Sequence, residues 1–317
     1  SLFACHNEDS LTPGYEYEGP VPAIADGPSE AQKICYELYK AYDLHVYYTL
    51  AGDEALQSIV GPVSENIFSY SGVEGTYPVQ AGDEVTSTVF LKLMKKFYET
   101  LPEELAKSAA KRQVLIKVGT NMDLMQSAYD QVFYGEVEVA GSGFVPIGIT
   151  TEAQKGVVYW GDMNDKIGIQ PDVWKYSLCA AFFEVRASNY YYTELPIPKD
   201  LIHVSSGYYL ASFIFNYDMD ALLEAIDEEG ALNMDYLMSH GFVNFDSWYS
   251  VRNDTGIEKG NEYLDLVAYA SWIACTPLAE RQDIFDNYPL VKQKYDITVS
   301  YIKKYLNMDL EAFSKEW

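Results

Sequence analysis

Basic side chains are scarce in this chain of 317 residues. Lys and Arg number 22 against 47 Asp and Glu, for a formal net charge of −25. Phosphate binding needs clustered cations, so nucleic acid is excluded as a partner, and an anionic membrane surface would repel the chain as well. Cysteine is rare too. Cys5, Cys35, Cys179 and Cys275 form no C-x-x-C pair and no zinc-finger spacing. Cys35, Cys179 and Cys275 fall in apolar helical patterns and read as buried free thiols, so disulfides do not staple the fold. No apolar run reaches the roughly 18 residues of a membrane-spanning helix. There is no internal repeat, no phosphate-binding glycine loop and no G-x-S-x-G. The four histidines, His6, His45, His203 and His240, are far apart and suggest no triad.

What is present is apolar and aromatic. Hydrophobic residues make up 48% and aromatics 15%, with 28 tyrosines as the main cause. That supports a real core, and tyrosine serves packing and binding surfaces alike. The most informative stretch is Pro171 to Tyr192, PDVWKYSLCAAFFEVRASNYYY. Pro171 suits a first helical turn and Asp172 the positive end of the helix dipole. Trp174, Leu178, Ala181, Phe182 and Val185 share one face; Tyr176, Ala180, Phe183 and Ala187 share a second. A helix apolar on two faces packs on two sides. Glu184 lies at the edge of the second face, where a carboxylate must be solvated, paired, protonated or functional.

Around this helix the chain reads as α+β. Residues 6 to 28 form a Pro-, Gly- and acid-rich linker. Helices are expected from Ser29, from Asp83 to Leu101, over Met219 to Ile226, Met234 to Met238, Asn261 to Ile273 and Pro289 to Tyr305, with a short one from Met308. Strands are expected over Leu44 to Leu50, Gln113 to Val118, Gln131 to Val139, Phe144 to Ile149 and Gly156 to Trp160, and this sheet is placed beside the central helix. Long loops are expected over 51 to 82, and 194 to 200 reads as irregular. The expected organisation is a tether over 1–28, a mixed α/β part over 29–168 and a mostly helical part over 169–317, the last two forming one compact unit.

The order of segments carries a resemblance. Leu2-Phe3-Ala4-Cys5 resembles the end of a bacterial lipoprotein signal, with Cys5 the lipidated residue. AQKICYELYKAYDLHVYYTL (Ala31 to Leu50) follows the acidic tether, then VLIKVGT (Val114 to Thr120) and the central helix. IPKDLIHVSSGYY (Ile197 to Tyr209), HGFVNFDSWYSV (His240 to Val251), NEYLDLVAYASWI and VKQKYDITVSYIKKYLNMDLEAF (Val291 to Phe313) complete it. This pattern resembles the substrate-import-associated zinc metallohydrolase lipoproteins, a zinc-binding metallopeptidase family found near TonB-dependent outer-membrane importers. The resemblance implies a zincin-like fold and a surface-exposed outer-membrane lipoprotein, in contact with the membrane through its lipid alone. It also implies H-E-x-x-H on the central helix, two His holding zinc and a Glu activating water, with a later acidic third ligand.

Here the corresponding run is Phe183-Glu184-Val185-Arg186-Ala187. Both His positions are lost, Glu184 stands at the vestigial general-base position, and Asp265 would take the third-ligand position. Phe and Ala cannot coordinate zinc, so no cofactor is expected and the chain reads as a pseudoenzyme. The leading expectation is a non-catalytic accessory of a TonB-dependent nutrient-uptake system that binds a ligand or a partner: an outer-membrane transporter complex, or an extracellular peptide or glycan. Two alternatives stand beside it. One is a zinc metallohydrolase with a non-standard ligand set such as His203 or His240 with Asp265. The other is a carbohydrate-binding module with platforms from Tyr190, Tyr191 and Tyr192 or from Trp248 and Tyr249.

Overall fold

The structure, a computed structural model, describes residues 23–49, 79–81, 84–109, 111–118, 145–147, 156–162, 171–187, 195–213, 216–217, 219–226, 231–253, 256–257 and 263–317. The tether, Cys5, the strand expected over 131 to 139 and the tyrosines 190 to 192 lie outside them. The described part is mostly helical, with two small sheets.

The first half builds the larger sheet. Helix α1 (Glu30–Tyr42) starts where the sequence places it. Ser29 caps it, accepting from the Gln32 amide while the Gln32 side chain accepts from the Ser29 amide. Strand β1 (His45–Tyr47) follows, then β2 (Val79–Ala81), α2 (Glu84–Thr100), α3 (Glu103–Lys107), β3 (Arg112–Val118), β4 (Val145–Ile147) and β5 (Gly156–Asp162). β3 is the central strand. It pairs in parallel with β5 along its whole length. On its other edge, β1 runs parallel to its first residues and β2 antiparallel to its last. β4 closes the far side against β5. The parallel step from β1 to β3 needs a crossover, and α2 and α3 lie on it. β2 falls within the stretch expected to be loop; three residues are too short to leave a periodic signal.

Helix α4 (Pro171–Ala187) is the central helix. Its neighbours are α2, β4 and above all a later helix, Leu264–Cys275. The rest of the chain supplies α5 (Lys199–Val204), β6 (Leu210–Phe213), β7 (Asn216–Tyr217), α6 (Met219–Ala225), α7 (Met234–Ser239) and α8 (Phe245–Trp248). Then come β8 (Tyr249–Asn253), β9 (Gly256–Ile257), α9 (Leu264–Cys275), α10 (Leu278–Asn287), α11 (Pro289–Leu306) and α12 (Leu310–Glu316). The part read as mostly helical thus holds a four-stranded sheet, in the order β7-β6-β8-β9. Its centre is a parallel pair, Leu210–Phe213 with Tyr249–Arg252, joined by a long connection and invisible to hairpin rules.

The main core is one continuous cluster of α1, α2, α4, α9, α11 and α12 side chains. Phe97 is its hub, meeting Phe182, Phe313 and Trp317 edge-on at 5.5, 5.6 and 5.3 Å between ring centroids. On α4 the first expected face is buried at Trp174, Leu178, Ala181 and Phe182; on the second, Phe183 and Ala187 are buried while Tyr176 and Ala180 are half-buried. Arg186 is buried as well, donating to the Ser108 carbonyl and hydroxyl. Smaller clusters form round Trp248 and Phe242, and round Tyr269 and Val291.

Candidate functional site

The positions that the resemblance would assign to a zinc motif, Phe183, Glu184, Ala187 and Asp265, lie on α4 and α9, helices that pack closely against each other. Phe183 is 2% exposed and Ala187 1%, both within the main core. Neither offers a donor atom, and their faces are filled by hydrocarbon. A tetrahedral zinc site with three protein ligands cannot be built on these positions.

Asp265, one residue into α9, is buried beneath α8 and α11. Both its oxygens are engaged. Ser247 Oγ donates to Oδ1 at 2.6 Å, and the Tyr209 hydroxyl donates to Oδ2 at 2.5 Å. Lys294 Nζ donates to Oδ2 at 2.5 Å, from a side chain with no exposure at all. The ammonium is further enclosed by the rings of Phe242, Tyr209 and Tyr269, with Nζ at 4.4, 5.1 and 5.5 Å from their centroids. Burial pulls the Lys294 amine below its ordinary value, and Asp265 opposes that pull. The Asp265 carboxylate, which the resemblance would make a third ligand, therefore has a cation already, an ammonium carried by α11. The residues present do not fit zinc.

Three elements converge to hold this pair. Asn244 caps α8 through the Ser247 amide and so fixes Ser247 beneath Asp265. Gly241 adopts φ +87°, a left-handed conformation that glycine takes without strain. A Cβ there would stand 2.7 Å from Ser205 Oγ and 3.2 Å from Leu290 Cβ, so only glycine lets the chain pass between α5 and α11. The Tyr269 hydroxyl donates to the Gly241 carbonyl at 2.7 Å, tying the turn to α9.

Glu184 differs from its neighbours. Its side chain reaches solvent, yet enough protein surrounds the carboxyl to strip part of its hydration. That crowding, with the negative charge of Asp246 second, pushes it up to about 7 from 4.5. Asp246, on α8, is raised for the first of these reasons. One turn and two turns back along α4 stand Ala180 and Tyr176, whose hydroxyl accepts from Asn244 Nδ2 at 2.5 Å. Two acids, Glu184 on α4 and Asp246 on α8, are thus both raised above the ordinary carboxylate range.

Among the described residues no three of His, Cys, Asp or Glu come together as a metal-binding group. The alternative ligand set is not assembled: His203 is exposed on α5, and His240 Nδ1 lies 2.7 Å from the Tyr236 carbonyl with its ring between Tyr208 and Tyr236. The aromatic-platform reading fails at Trp248, which is fully buried with its indole donating to the Tyr208 carbonyl at 3.0 Å. Tyr249 is stacked on Phe245.

Lys294, Tyr209, Ser247, Asn244 and Asp246 were not singled out from sequence. Lys294 alone left a signal: it lies three residues after Val291 and four before Thr298, in phase with the inward stripe of α11.

No protein-family model matches the chain, and no curated protein matches it. Among solved structures, the chain is similar to a "putative zinc-binding metallo-peptidase" from Bacteroides caccae. The identity is 13%, over 92% of this chain and 93% of that one, at a TM-score of 0.47. What this chain can do is decided by its own side chains.

Proposed function

We propose that this chain is a non-catalytic, metallopeptidase-like lipoprotein of the outer-membrane surface, anchored through Cys5. It serves a TonB-dependent nutrient-uptake system by binding a ligand or a partner protein. The observation that carries the non-catalytic part is the state of the three motif positions. Phe183 and Ala187 are core packing, and Asp265 is neutralised by Lys294. A hydrolase centre would need those positions open to metal and water. The remaining acid, Glu184, stays accessible beside Asp246, and binding is the role left to that edge of α4.

The anchor and the uptake role rest on the Leu2-Phe3-Ala4-Cys5 run and on the order of segments along the chain. The test is paired. Peptide hydrolysis is assayed with and without added zinc, and affinity capture is performed on detergent-solubilised outer membranes. No hydrolysis, with recovery of a TonB-dependent transporter, supports the reading. Zinc-dependent hydrolysis overturns the first half, and recovery of no transporter overturns the second. Lipidation is checked by incorporation of labelled palmitate, expected in the wild-type chain and absent from Cys5→Ser.

A further inference from the structure

The two cysteines at the α4–α9 seam are close enough to react. Cys179 lies in the middle of α4 and Cys275 is the last residue of α9. Their sulfurs are 3.6 Å apart, although 96 positions separate them in sequence. A disulfide spans about 2.05 Å, so bond formation needs an approach of about 1.5 Å, within the reach of modest side-chain rotation.

The surroundings are asymmetric in a useful way. Cys179 has no exposure, whereas Cys275 is partly open to solvent. Lys175, one turn before Cys179 on α4, lies near both sulfurs. Its ammonium donates to the Trp317 carbonyl at 3.0 Å and sits over the Trp317 ring. The Trp317 indole N–H is buried without an acceptor at bonding distance, and it lies beside the two sulfurs, where it favours a thiolate. Cys179 acts in the same sense on its partner: the Cys275 thiol is lowered, first by the neighbouring Cys179, while burial pushes the Cys179 thiol up. Cys35, by contrast, is buried in the core and pushed up to about 12.

We infer that Cys179 and Cys275 form a dithiol site for oxidative modification, taking a peroxide-class oxidant and closing to a disulfide that bolts α4 to α9. Cys275, the accessible member, attacks the peroxide O–O bond as thiolate. One oxygen goes to sulfur as sulfenic acid, and the other leaves and is protonated to water. The Cys179 sulfur then attacks the sulfenic sulfur, the S–O bond breaks, and the hydroxide released takes up the thiol proton as a second water. Two thiols lose two electrons and two protons, and one hydrogen peroxide becomes two waters. Reduction by a dithiol such as dithiothreitol reverses the state.

The test is made on the full chain, reduced and then exposed to stoichiometric hydrogen peroxide. Non-reducing peptide mapping is expected to give a cross-linked pair holding Cys179 and Cys275, with Cys35 still a free thiol. Thermal unfolding is expected to move to higher temperature on oxidation and to return after dithiothreitol. In Cys179→Ser, Cys275 has no resolving partner and is expected to trap dimedone as sulfenic acid; the wild-type chain traps little. Two outcomes overturn the proposal: both cysteines surviving as thiols, or Cys275 passing to sulfinic acid in the wild-type chain without cross-linking. The peptide map reads the chemistry directly, so a variant that folds poorly leaves the wild-type result decisive.

Discussion

Replacing Lys294 with Met removes a charge and little else. Met fills most of the aliphatic stem, so the packing against Phe242, Tyr209 and Tyr269 largely survives. Asp265 is then a buried carboxylate holding only the Ser247 and Tyr209 hydroxyls. Breaking a buried pair from one side costs about 3–5 kcal/mol, because the partner's desolvation is no longer offset. At about 2–4 °C per kcal/mol, the melting temperature should fall by roughly 6–20 °C. Asp265→Leu alone strands the ammonium and should cost a similar amount. The double variant Lys294→Met/Asp265→Leu carries no buried charge. It should recover to within about 2 kcal/mol of wild type, which makes the two changes strongly non-additive. Urea unfolding at constant m measures all four proteins. Single variants each costing under about 1 kcal/mol, or a double variant equal to the sum of the singles, would show that the ammonium does not neutralise Asp265.

Other expectations follow from the same geometry. Phe183→Ala should destabilise by about 3–5 kcal/mol through a cavity in the main core, read by urea midpoint; a loss near zero would mean the residue is not packed as described. Gly241→Ala should cost about 1–3 kcal/mol, since it combines a left-handed φ with a Cβ against Ser205, and the thermal midpoint checks it. The pH dependence of stability has a definite sign at Glu184. Its folded value of about 7 exceeds the ordinary 4.5, so the folded state holds the proton longer, and stability declines as pH rises between these values. Glu184→Gln should flatten that decline and be the more stable protein at about pH 8. Urea midpoints at about pH 5 and pH 8 decide it, and an unchanged slope in the variant would place the titration elsewhere.

Much of the helical framework was legible in sequence because its causes are local. Ser29 with Gln32 announces α1, Pro171 and Asp172 open α4, and the two apolar faces of α4 foretell burial on two sides. What escaped was either non-local or too polar. The β6–β8 pair is parallel and joins distant segments. Helix α10, LAERQDIFDN, reads as a charged surface stretch, with Arg281 and Phe285 its buried residues. On α2 the inward stripe is Phe90, Met94 and Phe97, with Val89 and Leu93 only partly buried beside it. On α9 the resemblance puts Asp265 at a ligand position; the structure buries it and leaves its neighbour Leu264 partly open. The Asp265–Lys294 pair was unreadable because a lysine among Val, Lys, Tyr and Asp looks like the solvated side of a helix. Only its phase marks it as inward.

The absence of a zinc site at Phe183, Ala187 and Asp265, where core packing and an ammonium stand instead, follows from these contacts. It is tested most directly by elemental analysis of protein purified without chelators or a metal-affinity tag, then incubated with zinc and desalted. Zinc should be far below one atom per chain in both states. Near-stoichiometric zinc surviving desalting would contradict it, placing a true metal site in this chain and returning hydrolysis to the front.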